Sequence, residues 1–510
     1  MIRIKKFVLR YQGNIKRLIS FCLFMALLFI LYSRITYLFR NTNYDRLHMI
    51  GLQNESDLDM IYVGGSSVFT YWEPLKAWND CGFTSYVYAT NSLQSDGTEF
   101  YIKEALKTQN PKLFVVELRA FTDFDPEIYE PALRNGSDSM DWDSINRWKY
   151  ISSYLTHHPA DENTDVLSFY FDIAKYHTNY SRLSYSLSWE YRDNKAVCDN
   201  KGFEWIDAYD SLDEPVDYMT EERVEIPSEN IELLNRLLDY CDKQNLQVLF
   251  VVAPKSVSAE EMGEYNTMKD IIEERGYRFF NVNEHYDEMS IDFSTDFYNG
   301  HHVNCYGAEK YTRFLEEYII DNYDMPDSRG NAAYASWDED FVRFSEEEVY
   351  YKYRINTARK DYEDSLEYEQ EIKGETDFQS WKTLVSVSRY YVFTAQKNTD
   401  LSSLATADAL AAKSIGISDD INGCAVFNSS VIEDSSDGNY DLSGIVSRNF
   451  NSSIAYKVDN VDAHASIMID EIEYSRAEDG VNMVVLDTIL GRVVDSVTLE
   501  IIDGNIHINR

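Results

Sequence analysis

The most strongly patterned stretch of the chain is its N-terminus, where a basic segment precedes a long apolar run. Residues 1–17 contain Lys and Arg but no carboxylate, and residues 18–39 are almost entirely apolar. A helix needs about 20 apolar residues to cross a bilayer. Because positive flanks stay in the cytoplasm, the pattern predicts a single-pass signal anchor of the plasma membrane, with a cytoplasmic tail at 1–17 and the bulk of the chain at the cell surface. The alternative is a cleaved signal peptide, but no small-residue cleavage site follows the run.

From Asp59 onward, short apolar runs alternate with segments in which apolar residues recur at helical spacing. Four runs are predicted to be buried strands: Met60–Val63, Leu113–Leu118, Gln247–Ala253 and Tyr277–Val282. Strands that alternate with helices are typical of a parallel sheet with right-handed crossovers. The pattern therefore predicts an α/β unit.

One long segment, residues 120–227, does not follow this alternation. It is acidic and rich in aromatic residues. We interpret it as an insertion over the carboxyl edge of the sheet, where loops commonly build binding sites. It is either the wall of a substrate groove or a purely structural cap.

The pattern of residues along the chain changes again after Pro326. Ser345 and Glu348 have the spacing of a capping box, which predicts a charged helical spacer over 345–374. Residues 380–510 favour short strands, with Asp487–Gly491 as a hairpin connection. We therefore expect a separate β-rich domain at the C-terminus.

Composition narrows the function classes. The net charge is −40, so we expect no nucleic-acid partner, since phosphate binding relies on Lys and Arg. The six cysteines form no C-x-x-C pair, and neither a disulfide framework nor a metal site is predicted. No cofactor is expected.

Two segments carry residues suited to acyl transfer. Gly64-Gly65-Ser66 follows the first predicted strand and places a hydroxyl on a tight turn. His302 precedes the last helix of the α/β unit. A serine hydroxyl needs a neighbouring base to become a nucleophile, and a histidine that accepts the proton can later return it to the leaving group.

Through these two segments, the chain resembles the SGNH (GDSL-like) family of hydrolases and acyltransferases, which has a G-x-S turn and a D-x-x-H block. The resemblance covers residues 55–325. The resemblance implies a flavodoxin-like three-layer parallel sheet, with Ser66 as nucleophile and His302 as base. The segment Ala89-Thr90-Asn91-Ser92 is similar to the second block of the family. That similarity implies oxyanion or substrate contacts from Ala89, Asn91 and Ser92.

The chain departs from the family pattern at two places. The Asp that stands three residues before the family's His is Asn299 here, and Asp296 is the nearest substitute. An Asn can orient imidazole but cannot stabilise imidazolium by charge. The third-block Asn is missing, and Arg119 follows the corresponding strand. Arg119 either binds an anionic group or oxyanion, or forms a structural salt bridge.

The C-terminal domain carries a second resemblance. Gly480–Asp487 and Gly491–Val497 are similar to the interleukin-like EMT inducer (ILEI/PANDER-like) domain. That resemblance implies a compact β-rich module over residues 380–510 that binds carbohydrate. From the residues alone, a structural module or a protein–protein adaptor stays open.

Together these features predict an extracytoplasmic O-acyl esterase or O-acetyltransferase that acts on a cell-surface glycan. A membrane-bound partner would supply the acyl donor. The alternative is a catalytically inactive SGNH scaffold that serves as a glycan-binding protein, which Asn299 favours. A third hypothesis is an assembly partner for other membrane proteins, with the acidic surface as its interaction face.

Overall fold

A computed structural model of the chain describes residues 2–40, 44–141, 144–182, 198–447, 453–460 and 465–510. The chain divides into two compact units, Met1–Tyr353 and Arg354–Arg510. Each unit has a hydrophobic core of its own, as expected for a chain too long to form a single domain.

The chain begins with the helix Ile2–Phe39. Its segment Gly13–Tyr32 is long and apolar enough to cross a membrane, and none of it is buried by the rest of the protein. Leu27, for example, is 66% exposed. A continuous apolar surface of this kind is suited to lipid rather than water. A signal sequence has the same length and composition, so the helix is compatible with either role.

The first unit is built on a five-stranded parallel sheet in the order β2-β1-β3-β4-β5. Its strands are β1 Met60–Gly64, β2 Ser85–Ala89, β3 Leu113–Glu117, β4 Val248–Val252 and β5 Arg278–Asn281. The predicted parallel α/β organisation is confirmed, and the strand order is that of a doubly wound sheet. β2 was not predicted from the pattern. All five of its residues are buried although three of them are Tyr or Ser.

Helices cover both faces of this sheet. The connection from β1 to β2 runs in the opposite direction from the later connections, so right-handed crossovers place its helix on the opposite face. Accordingly, Pro74–Cys81 contacts Cys305–Asn322, while Ser95–Ala105 contacts Ser228–Gln244. The remaining helices around the sheet are Tyr44–Asn54, Ser66–Phe69, Ala259–Glu274 and Tyr286–Met289.

The insertion predicted at 120–227 is helical in its first part, and residues 142–143 and 183–197 lie outside the described residues. Its helices are Glu130–Asp138, Ile145–His157, Val166–Tyr170 and Asp172–Tyr176. Arg147 is fully buried between Asp138, at 3.1 Å, and Asp172, at 2.9 Å. Later in the insertion, the carbonyl of Lys201 accepts a 2.9 Å hydrogen bond from Val87 of β2. The insertion therefore also covers the edge strand of the sheet, which would otherwise expose unpaired backbone groups.

The charged helix begins at Ala335 and ends at Gly374, so its predicted start at the Ser345 capping box is wrong. The Ser345 hydroxyl instead donates to the carbonyl of Phe341, 2.9 Å away, within the helix. The helix starts earlier because Trp337 and Phe344 are buried in the core of the first unit. Its first part is thus a component of that unit rather than a free spacer.

The second unit contains two antiparallel sheets, in the orders β10-β9-β8-β15-β16-β17 and β11-β12-β13-β14. Its strands are β8 Tyr390–Lys397, β9 Gly423–Asn428, β10 Ser430–Asp434, β11 Asp441–Ser447, β12 Ser453–Asp459, β13 Ser466–Ile469, β14 Ile472–Glu473, β15 Gly480–Asp487, β16 Arg492–Ile502 and β17 Asn505–Asn509. Two helices, Phe378–Val385 and Thr406–Ser414, complete the unit.

The alternation of side chains along β8 organises this second unit. Val392 belongs to a core shared with the two helices, and Phe393 belongs to a core shared with the four-stranded sheet. The predicted hairpin is confirmed, since β15 and β16 pair through Asp487 and Arg492. Gly491 in the turn has φ of +66°, a conformation that favours glycine. Residues 448–452 and 461–464 lie outside the described residues.

Candidate active site

Ser66 lies at the point where β1 ends and a short helix begins. Gly65 has extended backbone, and Ser66 is the first residue of the helix Ser66–Phe69. The tight turn depends on Gly64, because a methyl group built there would lie 2.7 Å from Cβ of Glu117 on β3. The absence of a side chain therefore lets β3 pass close behind the turn.

His302 lies in a small two-stranded element, β6 Phe297–Asn299 and β7 His302–Val303. Asn304 holds this element in place. Its side-chain amide donates to the carbonyls of Thr295, at 2.9 Å, and Phe297, at 3.1 Å. Its side-chain oxygen accepts from Tyr306 and caps the helix Cys305–Asn322. The histidine loop is therefore fixed by the start of the last helix.

These two elements bring Ser66 and His302 into hydrogen-bond contact. The Ser66 Oγ lies 2.7 Å from Nε2 of His302. The Nδ1 atom of the same ring lies 3.1 Å from Oδ1 of Asn299. The backbone N–H of His301 also donates to that Oδ1, at 2.9 Å.

The hydrogen bonds at Asn299 determine the protonation of the imidazole. A backbone N–H can only donate, so the Asn299 atom facing His301 must be the amide oxygen. That oxygen can only accept, and Nδ1 of His302 must therefore carry the proton. Nε2 is then the unprotonated nitrogen, which accepts from Ser66. This is the tautomer that a general base requires.

The charges around His302 disfavour its protonated form. Burial, together with the charges of Arg119, His301 and Lys255, lowers the pKa of His302 to about 3. Asn299 provides a hydrogen bond but no negative charge. The imidazole is therefore neutral at physiological pH and free to accept a proton, but the imidazolium that follows is poorly stabilised.

Asp296 does not replace the missing carboxylate. Its side chain forms an ion pair with Lys310, at 2.6 Å, and accepts from the backbone N–H of Asp292, at 2.7 Å. Both ring nitrogens of His302 already have other partners. The interpretation of Asp296 as a catalytic substitute is therefore wrong, because its carboxylate stabilises the loop instead.

The turn after β2 lies beside Ser66. Ala89 is the last residue of β2 and pairs with Gly64, and the N–H of Thr90 donates to the carbonyl of Gly64, at 3.3 Å. A methyl group built on Gly65 would lie 3.8 Å from the backbone nitrogen of Leu93. The predicted second block is thus next to the serine turn, and so is the backbone N–H of Leu93, which donates to the carbonyl of Thr90, at 3.4 Å.

Asn91 and Ser92 are exposed within that same turn. Ser92 has φ of +55°, which is uncommon for a residue other than glycine. The Asn91 carbonyl accepts from the side chain of Asn135 in the insertion, at 3.4 Å. The insertion therefore borders the turn at the carboxyl edge of the sheet.

Arg119 reaches the histidine loop from the end of β3. Its Nη2 donates to the carbonyl of His301, at 2.7 Å, and its Nη1 donates to the hydroxyl of Tyr71, at 3.3 Å. In the part of the chain that the structure describes, the guanidinium forms no ion pair with a carboxylate. A structural salt bridge, one of the two roles considered for Arg119, is therefore not found among these residues.

Two tyrosines complete the surroundings of His302, and no motif pointed to either of them. The hydroxyl of Tyr71 lies 2.8 Å from the carbonyl of His301 and accepts from the N–H of Val303, at 3.2 Å. It thus holds the backbone on both sides of His302. The ring of Tyr298 stacks on the imidazole, with centroids 5.4 Å apart.

Ser66 and His302 lie where β1 and β3 are neighbours in the sheet. The connections that follow these two strands leave in opposite directions. Doubly wound sheets bind their ligands at such a switch point.

The described residues contain no cluster of His, Cys, Asp and Glu suited to a metal ion. Comparison of the chain with protein-family models, with curated proteins and with solved structures gives no match.

Proposed function

We propose that the chain is a membrane-anchored O-acyl esterase or O-acetyltransferase of the SGNH type that acts on a cell-surface glycan. The observation that carries this proposal is the 2.7 Å hydrogen bond between Ser66 and the unprotonated nitrogen of His302 at the switch point of the sheet. A serine and a base in direct contact, with backbone N–H groups nearby, are the parts that acyl transfer requires.

In the first half of the reaction, Oγ of Ser66 attacks the carbonyl carbon of the acyl ester while Nε2 of His302 takes the hydroxyl proton. Backbone N–H groups of Ser66 and of the turn after Ala89 stabilise the carbonyl oxyanion. The ester bond then breaks, and the leaving alcohol takes the proton from His302. An acyl ester remains on Ser66.

In the second half, water or a sugar hydroxyl attacks that acyl ester, and His302 takes the proton of the attacking group. Collapse of the intermediate returns the proton to Ser66 and releases either a free acid or an acylated sugar. The same two residues serve both reactions, so the acceptor alone separates an esterase from a transferase.

The membrane location is part of the same proposal. The helix Ile2–Phe39 would anchor the chain in the plasma membrane, with the basic tail 1–17 in the cytoplasm. The sheet domain and the ILEI-like module would then face the cell surface. A module that binds the glycan raises its effective concentration at the active site, and a membrane-bound partner supplies the acyl group.

The experiment is covalent labelling of the full chain in detergent with a fluorescent fluorophosphonate. We expect label on the wild type and none on Ser66→Ala. Ser67→Ala is the matched control, because Ser67 is the adjacent hydroxyl and the hydrogen bond to His302 comes from Ser66. Label that persists in Ser66→Ala would refute Ser66 as the nucleophile.

The second candidate function is a catalytically inactive scaffold that binds glycan. It is favoured by Asn299 in the place of a carboxylate, together with the low pKa of His302. In that case neither the wild type nor Ser67→Ala would be labelled, while retention of the full chain on purified cell-wall glycan would be equal for wild type and Ser66→Ala.

A further inference from the structure

Arg119 is a charged side chain that is held at the site by neutral acceptors only. Its guanidinium donates to the His301 carbonyl and the Tyr71 hydroxyl. Elsewhere in this unit, enclosed arginines meet carboxylates, as Arg147 does with Asp172. Arg119 is only partly buried, and a charge without a partner of opposite sign in direct contact leaves a place for an anion that reaches it from solvent.

The other charged groups near Arg119 do not provide that anion. Lys255 is ion-paired with Glu261. The carboxylate of Glu117 accepts from the backbone N–H of Arg119, at 3.1 Å, and from that of Ala253, at 3.4 Å, and it forms no ion pair with the guanidinium. Among the described residues, the guanidinium of Arg119 is therefore left without a carboxylate in direct contact.

The position of this charge relates it to the reacting atoms. Arg119 binds the carbonyl of the residue directly before His302, and its charge is one of those that lower the pKa of the imidazole. An anion placed against Arg119 would offset that charge and favour the imidazolium. Asn299 cannot do this.

We propose that the site selects esters that carry an oxyanion, a carboxylate or a phosphate, close to the scissile bond, and that Arg119 determines this specificity. The inference rests on the proposed function and adds its substrate class, an acylated anionic glycan. A guanidinium suits this role because its planar donors match carboxylate and phosphate oxygens. The bound anion supplies part of the negative charge that the Ser66–His302 pair lacks.

The test compares two esters of the same skeleton. Monomethyl succinate carries a carboxylate, and dimethyl succinate carries a second methyl ester in its place. Each ester is titrated into the full-length Ser66→Ala variant in detergent, and binding is followed by ligand-observed NMR. The variant lacks the proposed nucleophile, so neither ester is cleaved. We expect monomethyl succinate to bind roughly tenfold more tightly or better, the scale of a charge-assisted hydrogen bond.

Added in this background, Arg119→Gln is expected to remove the difference between the two esters, while Arg119→Lys keeps part of it. Arg275→Gln is the control and keeps all of it, because Arg275 lies at the opposite edge of the sheet with Asp239 and Asp242. Continued binding of dimethyl succinate shows that each variant is folded. Displacement by inorganic phosphate rather than acetate ion identifies a phosphate-bearing substrate, and the reverse order identifies a carboxylate.

Equal binding of the two esters by the Ser66→Ala protein would overturn the inference. So would a preference that survives Arg119→Gln. Fluorophosphonate labelling of Ser66 tests the proposed function separately. An unlabelled wild type that keeps an Arg119-dependent preference would refute the enzyme and leave the anion specificity standing.

Discussion

Asn299→Asp is the change that tests the electrostatics of the site most directly. It places a carboxylate where the amide oxygen now lies, 3.1 Å from Nδ1 of His302, without altering the shape of the side chain. An opposite charge at this distance typically raises a histidine pKa by about 1–3 units. From a starting pKa of about 3, the variant should have a value of about 4–6.

The expected consequence is a faster reaction with a displaced pH dependence. A carboxylate stabilises the imidazolium that forms when Ser66 attacks. At other Ser-His sites, exchanging Asp for Asn in this position changes the rate by about 10⁴-fold. Because the surroundings of His302 are cationic, we expect a smaller gain of roughly 10- to 100-fold in kcat/KM at pH 7, which corresponds to about 1.4–2.7 kcal/mol.

The assay is hydrolysis of p-nitrophenyl acetate by the full chain from pH 4 to pH 8. In the wild type, kcat/KM should stay nearly level down to the acid end, because His302 is still unprotonated there. In Asn299→Asp, the acid limb should move to about pH 4–6. Asn245→Asp, which adds the same charge at the opposite edge of the sheet, should change neither. A variant with an unshifted acid limb and an unchanged rate would refute the assignment of Asn299 as the partner of the catalytic base.

Three further predictions follow from the same contacts. Tyr71→Phe should lower the rate of Ser66 labelling roughly tenfold and the free energy of unfolding by about 1–3 kcal/mol, since it removes the hydroxyl next to His301; an unchanged labelling rate would contradict this. Gly64→Ala should cost about 1–3 kcal/mol in urea unfolding, because its methyl group would meet Glu117; Gly65→Ala, with its nearest atom at 3.8 Å, is the control. The folded state holds the pKa of His302 below its unfolded value, so unfolded protein binds more protons and stability should fall as pH drops below about 6.5, by up to about 1.4 kcal/mol per unit; His302→Gln should reduce that slope and leave the share of His301, whose pKa is also lowered, as urea midpoints at pH 7 and pH 5 would show.

The parts of the site that could be predicted from sequence are those with a local signature. The strand before Ser66 is a short apolar run ending in glycines, and His302 directly precedes a helix. Both patterns are set by neighbours in the chain, so both residues were identified although 236 positions separate them. β2 had no such signature, since its buried tyrosines resemble a polar surface strand.

The errors have a common physical origin, because each followed a local pattern that tertiary packing overrides. Ser345 and Glu348 have capping-box spacing, but the burial of Trp337 extends the helix toward its N-terminus. Asp296 is close to His302 in sequence, but Lys310 in the next helix binds its carboxylate. Tyr71 has no motif at all. Its role depends on backbone groups of the histidine loop, more than 200 residues later, and spacing cannot reveal such contacts.

Asn299 contributes no negative charge beside His302, and Arg119 adds a positive charge near it, so both leave the imidazolium poorly stabilised. The predictions for Asn299→Asp and for anion binding at Arg119 are therefore connected. If a substrate anion supplies the charge that Asn299 lacks, its benefit should shrink once Asn299→Asp supplies it permanently. We therefore expect the ratio of kcat/KM for 4-nitrophenyl hemisuccinate to that for 4-nitrophenyl acetate to exceed unity in the wild type and to fall in Asn299→Asp. The coupling should be about 1 kcal/mol, as is usual for groups that act on a shared neighbour. An unchanged ratio would mean that the anion is bound by Arg119 without assisting His302, and the substrate charge would then determine affinity but not the rate of proton transfer.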